Sequence, residues 1–314
     1  MRKLCLVISV LVLASCGGRK AGDASATRAF PEVQVPSAVP EEERPGYAMA
    51  HFWDGLIKGS DGFATDSLKV AGVSMADMEK AAGTYATLLR IVPPAESADA
   101  LASLEARLDD KGDTALFKGV ASLIEKYLYD PQSPVRNEDA FGAFCTAAAK
   151  SPLLTDAEKE LYARWASLAA LAPVGSPAPD FEFIDAAGRR RTLYGVRAEW
   201  IVLMFGNPDC TACRTIVETI EGNEDLGSSV ADGTVAIVDI YVDEDIASWM
   251  AAAPQFPKNW ILGYDPVGLI RSDTVYHLRA IPSIYLLDSD KTVVLKDAPE
   301  EVLIEYLYSI CSSI

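Results

Sequence analysis

The sequence has 314 residues, half of them hydrophobic, and a formal charge of −17 at neutral pH. That length accommodates two ordinary domains, each with its own core. So acidic a chain does not bind nucleic acid by charge, and anionic lipid would repel it, so a membrane contact would need a covalent anchor.

The chain begins with Arg2 and Lys3, followed by an apolar run from Leu4 to Leu13. The run is too short for a permanent span, so residues 1–15 read as a secretory signal. It ends in Leu13-Ala14-Ser15-Cys16, which resembles the bacterial lipobox. That resemblance implies cleavage before Cys16 and lipidation of Cys16, a stable membrane anchor once two or more acyl chains are attached. The expected location is the bacterial cell envelope, on its periplasmic or surface face. A plain cleaved signal is the alternative. Residues 16–46 are small, polar and proline-punctuated, as in a flexible tether.

Residues 47–172 read as all-helical, with five to seven helices and no strand. Met78, Ala82, Tyr85, Leu88, Leu89 and Val92 recur at helical spacing, as do Phe117, Val120, Leu123, Ile124, Tyr127 and Leu128. Leu161, Trp165, Leu168 and Leu171 form a third apolar face. Ser74 with Asp77 and Thr155 with Glu158 are capping-box patterns. Pro93-Pro94 and Pro131–Pro134 break the series.

"PVGSPAP", residues 173–179, opens the second domain, residues 173–314, as a linker. A hairpin follows around Gly188. "WIVLMF" (200–205) and "TVAIVDIYVD" (234–243) are continuous apolar runs, as expected of buried strands. "WILGYD" (260–265), "SIYLLD" (283–288) and "TVVLK" (292–296) add shorter ones, and a helix closes the chain from about Pro299. Strands alternating with helices predict an α/β layered domain with a central mixed sheet.

The chemistry-bearing stretch is "FGNPDCTACR", residues 205–214. Cys210 falls between a buried strand and the next helix. A helix N-terminus has unpaired N–H groups and partial positive charge, which stabilise a thiolate. Cys213, one turn further, can displace a partner held on Cys210. A zinc site would need two more soft or imidazole ligands, and the chain has only His51 and His277 and no second cysteine pair, so no metal is expected. A structural disulfide stays open, although so small a loop constrains the unfolded chain little. Cys145 and Cys311 sit among apolar neighbours and read as small hydrophobes.

Residues 175–314 resemble the thioredoxin-like fold, in particular its exported TlpA-like and peroxiredoxin-like (AhpC-TSA-like) branch. "GSPAPDF", the central strand, the Cys-x-x-Cys pair and "IPSIYLLD" carry the resemblance in the right order. It implies a cis bond at Ile281-Pro282, opposite the cysteine pair, with Ile281 and Pro282 shaping the substrate groove. Residues from about 30 to 172 resemble a domain of unknown function found ahead of such domains in bacterial lipoproteins, through "HFWD" (51–54) and "EKYLYDPQSPVRNE" (125–138). Aromatics in those stretches, and His51, read as core.

Departures from the family pattern are specific. Asp209 replaces the usual Trp before the first cysteine; a carboxylate there opposes the helix-end effect and tunes the pair. Met204 stands where thioredoxins carry a buried acid. Ile216 replaces a Glu common in the TlpA-like branch, and Glu218 falls on another helix face. Proton handling at Cys213 is thereby left to water or Asp209. Asn207 and Leu203 occupy the Thr and Pro positions of a peroxidase motif, which ranks thiol peroxidase third. The leading expectation is a thiol–disulfide oxidoreductase with Cys210 and Cys213 catalytic. It needs no cofactor beyond the redox-active disulfide itself. Its partners would be cysteine-containing proteins of the envelope and a membrane redox partner. A non-catalytic binding or scaffold lipoprotein with a structural disulfide is the alternative.

Overall fold

The computed structural model describes residues 26–311. The signal and the lipidation position, Cys16, lie outside them. The first helices are α1 (Arg44–Ala50) and α2 (Asp54–Lys58). Then come β1 (Lys69–Val70), β2 (Val73–Ser74), α3 (Met75–Ile91), α4 (Pro94–Lys111), α5 (Thr114–Leu128), α6 (Glu138–Ala148) and α7 (Asp156–Ala169). Local chemistry sets the starts. Ser74 Oγ caps α3 through the Asp77 N–H, Asp113 caps α5, Asn137 caps α6, and Thr155 with Glu158 forms a full capping box on α7. Pro94 occupies the first turn of α4, where its missing N–H costs nothing, and Gly112 ends that helix at φ 68°. The periodic residues pack into one core around Trp53, Tyr85, Leu104, Phe117 and Phe141.

Four expectations for this half are corrected. A two-stranded β1–β2 hairpin interrupts the helices; with two residues per strand it has no alternation to read. Residues 28–33, inside the span read as tether, are docked. Arg28 pairs with Val73, its guanidinium donates to the Ala71 and Leu56 carbonyls (2.7 and 2.9 Å), and Phe30 packs on Phe52 and Trp53. Leu161 is 44% exposed, because α7 turns Tyr162, Trp165, Ala166 and Ala169 inward instead. His51 is also not core: its side chain is 45% exposed and hydrogen-bonds Asp54 (3.1 Å).

The second half contains β3 (Glu182–Asp185), β4 (Arg190–Thr192), β5 (Trp200–Gly206), α8 (Thr211–Glu221), α9 (Glu224–Ala231) and β6 (Val235–Tyr241). It continues with α10 (Ile246–Ala252), β7 (Ile261–Tyr264), β8 (Ser283–Leu287), β9 (Val293–Leu295) and α11 (Glu300–Cys311). The strands form one mixed sheet in the order β4-β3-β7-β6-β5-β8-β9. β5 runs parallel to β6 and antiparallel to β8. Its side chains alternate between two cores. Ile201, Leu203 and Phe205 join Tyr276 and Tyr285 on one face; Val202 and Met204 join Ile216, Ile220, Leu303 and Leu307 on the other. The stretch 173–179 is more than a connector: Gly175 and Ala178 donate to Val293 and Lys291, and Pro177 bridges Thr292 along the sheet edge.

A buried polar cluster joins the halves. Lys296 donates to Asp139 (3.0 Å) and to the Ala169 carbonyl (2.6 Å), and faces Glu138 at 3.5 Å. Arg136 donates to the Asp297 carbonyl (2.7 Å), and Tyr129 hydrogen-bonds His277 (3.0 Å). Arg279 stacks on Tyr129, donates to its carbonyl and pairs with Asp297.

Candidate redox site

β5 ends at Gly206, and a turn over Asn207–Asp209 delivers Cys210 to the N-cap of α8. Asn207 builds that turn: its side-chain oxygen accepts from the Asp209 N–H (2.8 Å), and its carbonyl accepts from the Cys210 N–H (3.0 Å). Cys210 Sγ accepts the Cys213 N–H at 3.2 Å, so the sulfur itself caps the helix. The sulfur thus takes up one of the N–H groups left unpaired at the start of α8. Cys210 is half-buried, whereas Cys213 is buried. Opposite them, the Ile281-Pro282 bond is cis, and the Cys210 thiol donates to the Ile281 carbonyl at 3.8 Å. The structure thus brings Cys210, Cys213, Ile281 and Pro282 to one place.

The cysteines differ in surroundings as well as in exposure. Burial, then the neighbouring Cys210 and Asp239, push the Cys213 thiol well above the usual range. Asp209, by contrast, is exposed. The carboxyl that faces Cys213 is Asp239, on β6. Asp239 lies directly beside Met204 in the β5–β6 register, one strand over from where an acid was sought. Its Oδ1 is buried without a hydrogen-bond partner among the described residues. A Cβ added at Gly206 would stand 3.3 Å from both Asp239 Oδ1 and Cys213 Sγ, so the absent side chain of Gly206 leaves the gap across which acid and thiol face each other. Burial raises the Asp239 carboxyl to about 7. Sequence reasoning missed this residue; its only signal is an acid inside the apolar run 234–243.

Cys145 is fully buried on α6, where burial pushes its thiol up, and Cys311 is half-buried at the end of α11. Cys145 packs in the helical core, and Cys311 packs against one face of the sheet's core. Among the described residues no helix is long and apolar enough to cross a membrane.

The sheet order, the cis-proline and the helix-capping cysteine together define a thioredoxin-like protein. The crystal structure of a thioredoxin-like protein from Bacteroides caccae is 30% identical, with a TM-score of 0.77 over 90% of this chain and 99% of that one. The chain belongs to this thioredoxin-like family. A conserved protein of unknown function from Bacteroides fragilis is 36% identical over 43% of this chain and 98% of its own, at a TM-score of 0.42. The C-terminal domain of an uncharacterized B. fragilis protein is 35% identical over 43% of this chain and 97% of its own, also at 0.42. The family model for a domain of unknown function, DUF5106, matches residues 15–170. No curated protein matches the chain.

Proposed function

We propose that the protein is a thiol–disulfide oxidoreductase acting on cysteine-containing proteins through Cys210 and Cys213. In the reducing direction, the Cys210 thiolate attacks one sulfur of a substrate disulfide. A Cys210–substrate disulfide forms, and the other substrate sulfur leaves as thiolate. Cys213 then gives its proton to Asp239, directly or through one water, and attacks Cys210 Sγ. The second substrate thiol leaves, and two electrons have passed from the pair to the substrate. The reverse sequence oxidises a dithiol. The observation carrying this reading is Cys210 Sγ seated at the start of α8, on the Cys213 N–H and beside cis-Pro282.

Trapping tests it directly. Cys213→Ser, incubated with proteins extracted from the envelope of the source cells, is expected to accumulate mixed disulfides that reductant releases. Cys210→Ser should give none. Equal trapping by both variants, or by neither, would contradict the assignment.

We further infer that this chemistry takes place outside the cytoplasm, with the chain held to the membrane by lipid on Cys16 and recharged by a membrane redox partner. The signal-like residues 1–15 and the lipobox-like Leu13–Cys16 support that placement.

A further inference from the structure

The turn between α5 and α6 reaches across to the redox half. It is a preformed loop. The Asp130 carboxylate accepts from the Gln132 N–H (2.8 Å), Ser133 Oγ donates to the Tyr127 carbonyl (2.6 Å), and the Asn137 N–H closes onto Leu128 (2.9 Å). Arg136, at its far end, is tied to Asp297 beside the sheet. Pro131, Gln132 and Pro134 of this loop form one side of a cleft of about 210 Å³. The floor is Ala212, which lies between the two cysteines, with Ile216 and the cis Ile281-Pro282 bond. The remaining side is the start of α11, with Glu300 and Glu301. The cleft therefore adjoins the Cys210 sulfur, and neither half of the chain builds it alone.

Its charge is net acidic. Among the described residues Arg136 is the one cation lining it, against Asp297, Glu300 and Glu301; it pairs with Asp297, which also takes the buried Arg279 behind it, and is drawn to Glu301 as well. Glu301 is exposed; Glu300 is half-buried and accepts from a hydroxyl, Thr219 Oγ1 at 3.0 Å. Three carboxylates against one cation, beside an apolar floor, favour a cation on whatever occupies the cleft. Two prolines in the wall limit the ordering cost of binding an extended chain.

We propose that the α5–α6 loop of the helical region is one wall of the substrate cleft, and that the cleft selects extended protein segments carrying lysine or arginine beside the reacting cysteine. This gives the helical region a part in recognition, and it rests on the exchange chemistry proposed above.

The test uses the full chain, pre-reduced, in single turnover at low ionic strength. The probes are two short peptides, each with one cysteine held as a disulfide with a chromophoric aromatic thiol. One peptide has lysines flanking the cysteine, the other glutamates. The aromatic disulfide without peptide is the reference. Attack by Cys210 releases the coloured thiolate, and Cys213 then displaces the peptide thiol. The lysine peptide is expected to react faster than the glutamate peptide by roughly threefold or more. Glu301→Lys and, from the helical wall, Gln132→Lys should each bring that ratio toward one or invert it; both positions are exposed. Equal rates for the two peptides in the native protein would overturn the selection. A ratio moved by Glu301→Lys but untouched by Gln132→Lys would overturn the role of the loop. Failure of even the reference disulfide to react would instead refute the exchange reading, and this inference with it.

Discussion

A carboxyl group sealed inside a sheet, with one oxygen lacking any partner, keeps its proton to a higher pH than one in water. Asp239 is in that position: Met204 flanks it from β5 and Leu262 from β7, and Cys213 of α8 is the titratable group that faces it. Its carboxyl, raised to about 7, suits a group that takes and returns a proton near neutrality. Asp239→Asn should slow release from the mixed disulfide about 100-fold, far more than it slows formation, as rapid-quench analysis would read. Stability changes with it. Between about pH 4 and about 7 the native state keeps a proton that the unfolded chain has lost, so this group's contribution falls as pH rises through that window. Denaturation of the reduced variant across that window should lack this decline. Little of this was legible in the sequence. The cysteine pair announced itself by spacing, but the acid depends on the register between β5 and β6, which tertiary pairing sets. An Asp in an apolar run carries no label saying which sulfur it will face.

At the scale of elements, the site is the junction of β5 and α8. A long buried strand ends at a residue with no side chain, and a tight turn starts the helix on a sulfur. Gly206→Ala would place a Cβ 3.3 Å from both Asp239 Oδ1 and Cys213 Sγ. That is close enough to force one of them aside, at a cost of about 1–2 kcal/mol, measurable by urea denaturation of the reduced protein. This junction was readable, because "WIVLMF" has the length and the turn-residue flanks of a buried strand and the next helix needs a cap. The capping box of α7 was readable for the same local reason; at α3 the structure shows only the Ser74 N-cap half of the expected box, with Ser74 Oγ donating to the Asp77 side chain. The β1–β2 hairpin and the docking of Arg28 were not: two-residue strands have no period, and Arg28 is fixed by backbone carbonyls that only the folded chain brings together.

At the scale of the molecule, the helical core and the cores of the sheet meet across a buried ionic cluster. Glu138 and Lys296 are almost wholly buried there, and burial raises the Glu138 carboxyl against the opposing pull of Lys296, Arg279 and His277, with Asp297 adding to the rise. Lys296→Met removes the cation nearest two carboxylates. It should destabilise the protein by about 3–5 kcal/mol. The loss should be larger at about pH 8 than at about pH 5, because Glu138 can shed its cost by taking a proton. Thermal melts at both pH values would check this, and an unchanged melt would mean the halves are held by other contacts. Composition could not forecast that the α5–α6 loop would lie beside Pro282, since that placement depends on Arg279 reaching the Tyr129 carbonyl 150 residues away.

The claim on which the rest depends is that the Cys210–Cys213 pair cycles between dithiol and disulfide. Its reduction potential, measured by equilibration against glutathione or dithiothreitol buffers, tests this most directly. The account predicts a value above about −300 mV, in the range of exchange catalysts. A value far below that would identify a structural bridge and contradict the account.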